Sequence, residues 1–123
     1  MATRRRRRVA LPGRNGDEVA LYVWDGLLNG DVGEAVEVNA FADKTFFVHG
    51  TAGAGLSAKL QGDSSEAGDQ FYNLKMADGS AVLSLTSTPS GETVLDHPRR
   101  VRPSVTGDGT TNVTALLYIV ARK

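Results

Sequence analysis

Short segments of alternating apolar and polar residues, separated by glycine-containing turns, recur along most of this 123-residue chain. The turn dipeptides are Asn15-Gly16, Asp25-Gly26, Asn29-Gly30, Asp78-Gly79 and Asp108-Gly109. Side chains alternate between the two faces of a β-strand, so a period of two predicts strands. No window of a dozen residues has convincing helical periodicity. Regularly spaced turns between short strands indicate a sandwich or barrel rather than βαβ units.

The alternation predicts strands at residues 18–24, 35–38, 44–49, 56–61, 70–75, 81–85, 93–95, 100–106 and 112–121. The clearest is 56–61, whose three apolar residues share one face and whose three polar residues share the other. Pro103 has no amide N–H, which favours an edge strand or a bulge at that position. We therefore predict an all-β fold, an antiparallel, jelly-roll-like β-sandwich of about eight or nine strands.

The last predicted strand differs from the others because both of its faces are apolar. One face carries four apolar residues, and the other carries Leu116, Tyr118 and Val120. A strand that is apolar on both sides has to be covered on both sides. Two coverings remain open: a loop or the N-terminal segment lying over a central strand, or a neighbouring subunit packing against these three residues.

Five consecutive arginines, Arg4, Arg5, Arg6, Arg7 and Arg8, stand near the start of the chain. The chain has 14 basic and 14 acidic side chains, so nine basic residues face 14 acidic ones once the run is set aside. Adjacent like charges repel and bury nothing, which predicts a flexible basic arm. We expect residues 1–16 to form the arm and its hinge, and residues 17–123 to form the sandwich domain.

The arginine run is expected to bind a protein partner, because guanidinium groups pair bidentately with carboxylates on a neighbouring subunit. Contact with nucleic acid is possible, but the acidic body does not favour it. A solubilising tail is the third reading. Removal of residues 1–8 should weaken partner binding and leave the domain folded.

A second basic cluster consists of Arg99, Arg100 and Arg102. Alternation places Arg100 and Arg102 on the outer face of their strand. They are either solvated there or part of a subunit interface, together with the apolar residues of the last strand.

The residues that usually carry catalysis or metal binding form no recognisable pattern. His49 and His97 are the only histidines, and neither has a second ligand at metal-binding spacing. The carboxylates of the loop at 63–69 match no dedicated calcium loop. We expect no catalytic residues, no metal and no cofactor, and therefore a protein that is not an enzyme.

The chain has no cysteine, which fits a reducing compartment. No apolar run approaches the roughly 20 residues that cross a bilayer, so no membrane association is expected. A rival reading to assembly is carbohydrate binding, in which Trp24, Tyr22 and Tyr72 would provide a stacking platform.

Several segments resemble a group of small tailed-bacteriophage structural proteins that are usually encoded beside the major capsid protein. They are LQGD at 60–63, FYNL at 71–74, DGSA at 78–81, PRRVRPSVTGDG at 98–109 and the hydrophobic strand ending at 121–122, with NGDVGEAVEV at 29–38 and FADK at 41–44. The resemblance covers roughly residues 27–122 and rests on turn and strand patterns. The arginine run is not part of it.

The resemblance implies a virion component with a β-sandwich fold, a head decoration (cement) protein. Its partner would be the major capsid protein, and its location would be the capsid, after assembly in the host cytoplasm. It also fits a homo-oligomer, with a trimer favoured, because symmetric oligomers add avidity without tighter single contacts. The resemblance supplies no catalytic residues.

Overall fold

The structure, a computed structural model, describes residues 2–11, 18–38, 43–79 and 81–121. Within these ranges the chain forms twelve strands and no helix. The strands are β1 (Thr3–Arg4), β2 (Arg6–Leu11), β3 (Glu18–Leu28), β4 (Val32–Gly33), β5 (Val36–Glu37), β6 (Asp43–Thr51), β7 (Ser57–Asp63), β8 (Tyr72–Asn73), β9 (Ser84–Leu85), β10 (Ser90–Thr93), β11 (Arg100–Thr106) and β12 (Asn112–Ala121).

The strands make two sheets that share one core. The seven-stranded sheet has the order β1-β4-β11-β7-β8, with β5 also paired to β11 and β9 also paired to β7. The five-stranded sheet has the order β10-β6-β12-β3-β2. Among the described strands every pairing is antiparallel except that of β1 with β4. The prediction of an all-β antiparallel sandwich is confirmed.

The core lies between the sheets and follows directly from the period-two pattern. Phe46, Leu60 and Leu117 are fully buried, and each comes from the inward-facing set of its strand. Burying a side chain of this size stabilises the fold by about 2–3 kcal/mol. Trp24 is also fully buried, and its indole Nε1–H donates a 2.9 Å hydrogen bond to the Glu34 carbonyl oxygen. The one polar atom of this large ring is therefore satisfied inside the core.

Strand bounds differ from the prediction mainly between residues 64 and 99. The predicted strands at 70–75 and 81–85 shorten to β8 and β9, and the one at 93–95 is replaced by β10. In this stretch the chain first pairs with β7 of the seven-stranded sheet, through β8 and β9, and then with β6 of the five-stranded sheet, through β10. Each sheet therefore pairs with only short pieces of it. By contrast, β11 and β12 have the predicted bounds.

The prediction of a flexible basic arm is wrong for residues 2–11. β1 pairs with β4 in the seven-stranded sheet, and β2 pairs with β3 in the five-stranded sheet. The chain thus changes sheets at Arg5. Consecutive arginines can share a strand because alternate side chains point to opposite faces, where each can meet a different partner. The expected hinge, residues 12–16, lies outside the described residues.

The expectation of an edge position or bulge at Pro103 is also wrong. β11 is an inner strand, with β7 on one side and β4 and β5 on the other. β5 pairs with Arg100 and Val101, and β4 pairs with Ser104, so Pro103 falls in the gap between these two short partners. Neither β4 nor β5 has a residue paired with Pro103, so neither strand needs a hydrogen bond from the N–H that proline lacks. A Cβ at Gly33 would lie 2.5 Å from the Pro103 ring, so only glycine fits beside it.

Candidate contact surfaces

The outer face of the five-stranded sheet is apolar across four neighbouring strands. We call it the apolar face, and it consists of Val9, Leu11, Val19, Leu21, Val23, Phe47, Leu116, Tyr118 and Val120. Cross-strand register aligns Val9, Leu21 and Tyr118 in one row. The neighbouring row holds Val23, Leu116 and Phe47.

The apolar face remains open at its centre. Tyr118 is 43% exposed, and Leu21, Leu116 and Val120 are half-buried. No described strand lies across these side chains, because β3 and β6 flank β12 within the sheet and the second sheet packs on its other side. The sequence pattern correctly placed Leu116, Tyr118 and Val120 on one face. Their role as a subunit interface stays a prediction.

The N-terminal segment extends the apolar face instead of covering it. β2 lies beside β3 in the plane of the sheet, and its Val9 and Leu11 face outward with Leu21 and Val19. These four residues were not predicted to be members of the surface. The alternation of β2 was hidden because arginines occupy its first half.

Among the described residues, Arg4, Arg6 and Arg7 form ion pairs with carboxylates of the same chain. The Arg4 Nε–Asp31 Oδ2 distance is 2.8 Å, the Arg6 Nη1–Glu34 Oε1 distance is 3.0 Å and the Arg7 Nε–Asp25 Oδ2 distance is 2.8 Å. The Arg8 guanidinium lies 5.9 Å from the centroid of the Tyr22 ring, within cation–π range. Most arginines of the run therefore already contact side chains of their own domain, and binding of the run to a partner stays a prediction.

Asp31 is the most heavily bonded of these carboxylates. It is buried, and it accepts hydrogen bonds from the Ala2 amide at 3.0 Å, the Leu28 amide at 2.9 Å and the Arg4 Nε–H at 2.8 Å. Burial alone would raise the pKa of Asp31, but these hydrogen bonds together hold it below its usual value. The carboxylate fixes the N-terminal strand to the turn before β4.

The outer face of the seven-stranded sheet is polar, and Arg100 lies at one end of it. Its side chain is 12% exposed, and Nη1 donates to Asp63 Oδ2 at 3.2 Å and to the Ser65 carbonyl oxygen at 2.8 Å. Nη2 lies 3.8 Å from Glu37 Oε1. Burial alone would raise the pKa of Asp63, but hydrogen bonds from Ser65, from a backbone amide and from Arg100 leave it lowered.

Arg102 lies two residues further along the same face. Its Nε–H donates a 3.0 Å hydrogen bond to Gln61 Oε1, and its guanidinium stacks 3.9 Å from the centroid of the Phe71 ring. The prediction that Arg100 and Arg102 face outward is confirmed by the alternation along β11, in which Val101, Pro103 and Val105 are buried. Both are engaged within the chain, and their role as interface residues stays a prediction.

The three aromatic residues considered for a carbohydrate platform do not come together at the surface. Trp24 is fully buried and Tyr22 is buried, both on the inward side of β3. Tyr72, on β8 of the other sheet, is 49% exposed. These residues cannot form the stacking surface that the sequence suggested.

Lys44 is an unusual buried lysine. It is 1% exposed, and its Nζ lies 3.0 Å from His97 Nδ1. A lysine ammonium would donate this hydrogen bond to an unprotonated Nδ1. Desolvation lowers the pKa of Lys44, against the opposing charges of Asp43 and Asp96. His97 is an exposed residue, so the amine lies just beneath the surface, next to the imidazole.

The described residues hold no group of three or more histidine, cysteine, aspartate or glutamate side chains that could bind a metal ion. The described parts of the chain also lack a helix long and apolar enough to span a membrane. The loop at 63–69, considered as a calcium loop, uses its first carboxylate, Asp63, to bind Arg100 and the Ser65 amide.

No protein-family model matches the chain, and no curated protein matches it. In fold it is similar to the crystal structure of the SPBc2 prophage-derived protein YomS, with a TM-score of 0.70 and 16% identity, over 89% of this chain and 99% of that one. A cupin domain from Bordetella pertussis gives a TM-score of 0.41 at 12% identity over 97% of each chain. KdgF from Halomonas sp. gives 0.40 at 11%, over 96% of this chain and 82% of that one. The first likeness shows a shared fold, and the two weaker ones carry no inference.

Proposed function

We propose that the protein is a structural component of a bacteriophage particle, a decoration (cement) protein that binds the capsid shell and stabilises it by bridging subunits. The observation that carries the proposal is the apolar face, a sheet surface whose central residues Leu21, Leu116 and Tyr118 stay partly exposed. Exposed apolar surfaces of this kind on soluble proteins are typical of protein contacts. A non-enzymatic role is part of the proposal.

Two further observations support a phage setting. The segments between residues 27 and 122 resemble small phage capsid-associated proteins, and the fold is shared with a prophage-derived protein over almost the full length of both chains. The partner is proposed to be the major capsid protein, and the location the virion.

The arginine run enters this proposal differently from the arm expected at first. Arg4, Arg6 and Arg7 already have carboxylate partners at 3.0 Å or less. Attraction to an acidic partner or to DNA would have to compete with these intramolecular pairs. This disfavours a DNA-binding role and leaves the sheet faces as the main contact surfaces.

The test is to purify particles of the phage that encodes the chain, and to compare wild-type particles with particles from a gene deletion. We expect the protein on wild-type shells in a cryo-electron microscopy map, and we expect deletion particles to release DNA at a lower temperature. A protein absent from purified particles, or deletion particles with unchanged heat resistance and complete shell density, would contradict the proposal.

A further inference from the structure

The apolar face needs a covering, and its size can be compared with that of known interfaces. The whole outer side of the five-stranded sheet, including the polar rim around the apolar face, has five strands about 4.8 Å apart and is about 24 Å wide. Along β12 its outward positions from Thr114 to Val120 occupy four rows about 7 Å apart, a length of about 25 Å. Two such sides packed together would bury about 1,200 Å² in total, at the lower end of the range for specific interfaces, and the apolar face supplies roughly half of it.

The charges on this face restrict what can cover it. Among the described outward-facing residues of the five-stranded sheet the charged ones are Arg7, Asp25 and Asp43, and Arg7 and Asp25 are paired with each other. Arg7 lies on the edge strand β2 in the row of Val23, and Asp43 lies beside Val120 at the start of β6. Both border the centre of the face, which holds Leu21, Leu116 and Tyr118. A strongly acidic or basic partner gains little from such a surface. An identical face meets it without strong like-charge repulsion at the centre.

The relief of the face suits packing against another sheet. Phe47 leans over Gly91 of the edge strand β10, where a Cβ would lie 3.0 Å from the Phe47 ring. Thr45 and Thr93 lie in the same row as Tyr118. Small side chains therefore sit next to large ones, which allows the rows of an opposing sheet to interdigitate at the usual spacing of about 10 Å.

We propose that the apolar face binds the same face of a second copy of this chain, so that two sandwiches pack through their five-stranded sheets. This inference rests on the proposed function for its setting, a protein that acts through contacts between subunits. A symmetric pair would offer two polar seven-stranded faces on opposite sides, each free to contact a different neighbour.

The first experiment measures the mass of the purified full-length chain by sedimentation equilibrium over a range of concentrations. We expect twice the chain mass of 13.1 kDa. Tyr118→Asp and Leu21→Asp each place a charge at the centre of the face and should raise the dissociation constant at least ~100-fold. Thr106→Asp, on an exposed position of β11 in the other sheet, is the matched control and should leave it unchanged. Circular dichroism checks that each variant is folded.

A second experiment uses the absence of cysteine from the chain. Leu116→Cys, Tyr118→Cys and Val120→Cys each introduce a single thiol, and Thr106→Cys is the control. Oxidation links two copies only where the Cβ atoms come within about 4 Å of each other. We expect at least one variant of β12 to form a covalent dimer rapidly and the control not to do so.

Three outcomes would overturn the inference. They are a monomeric mass at ~0.1 mM protein, a dimer that both Asp variants leave intact, and a trimer, because an odd number of copies cannot pair this face with itself. The trimer expected from the sequence is thus tested at the same time. A monomeric protein that is found on particles would refute only the pairing, and a dimer that never joins particles would refute only the proposed function.

Discussion

The two outer faces of the sandwich are both surfaces of β-sheets, but their chemistry is opposite. On the seven-stranded sheet, outward residues such as Arg100 and Arg102 find hydrogen-bond or stacking partners within their own sheet. On the five-stranded sheet, Leu21, Leu116 and Tyr118 contact neighbours within the sheet, and no described element lies over them, so they stay partly exposed. The side chains of the polar face already have partners within the chain, whereas the apolar face would bury further apolar surface if a partner covered it. The difference assigns contact between subunits to the five-stranded sheet first.

The largest effect should follow from deleting residues 1–8, because they supply β1 to one sheet and the start of β2 to the other. The deletion also removes two of the three donors to buried Asp31. We expect the free energy of unfolding to fall by about 3 kcal/mol or more, as measured by urea denaturation. If the deletion left the stability unchanged, the N-terminal segment would be an independent arm, and β2 would not belong to the apolar face.

Arg100→Ala should be the most damaging single change on the polar face, since it leaves the carboxylate of Asp63 buried without its guanidinium partner. Loss of one partner of a buried pair is among the more damaging single changes, so we expect a clear fall in the free energy of unfolding, measured by urea denaturation. Arg99→Ala, at the exposed neighbouring position, should change the free energy of unfolding by less than about 0.5 kcal/mol. Equal effects of the two substitutions would show that the polar face is not held together by this pair.

Acid should destabilise the polar face through the carboxylate of Asp63. The pKa of Asp63 is lowered in the folded protein, so its contribution to stability is present above its unfolded value of about 4 and is lost as the pH falls through its folded pKa. We expect Asp63→Asn to be less stable than wild type at pH 6, and the difference to shrink below about pH 4. Urea denaturation at both pH values measures it. A difference that does not change with pH would contradict the assignment.

The smallest effect on the isolated subunit should come from Tyr118→Ser, because Tyr118, at 43%, is the most exposed residue of the apolar face. We expect a change of about 0.5 kcal/mol or less in the free energy of unfolding at low protein concentration. At high concentration wild type should gain stability from association, and the variant should not. Thermal unfolding at two concentrations makes the comparison, and equal shifts in both proteins would argue against a role of Tyr118 in association.

Much of the fold could be predicted because residue alternation carries it. The inward set Leu56, Ala58 and Leu60 and the bounds of β11 and β12 follow from a period of two. The N-terminal strands could not be predicted, because their stabilisation comes from Asp31 and Glu34, which lie almost 30 residues away in sequence. Local charge repulsion is visible in a sequence, and the distant carboxylates that relieve it are not.

The contact surfaces show the same limit. Leu116, Tyr118 and Val120 stood out because an apolar outward set is rare in a strand, but Leu21 looked like any other member of an alternating strand. Only the register of β12 against β3 places it beside Tyr118. Phe71 was likewise not identified as the partner of Arg102, since the stacking depends on how the loop after β7 folds back.

The crossing of the chain from one sheet to the other at Arg5 has a practical consequence. The backbone enters the domain along the rim of the seven-stranded layer, at Thr3, before it joins the opposite layer. A peptide or fluorescent label fused ahead of Ala2 would therefore leave from that rim, with the open hydrophobic surface facing the other way. Fusions at this end offer a route to display cargo while the surface for self-pairing stays unobstructed.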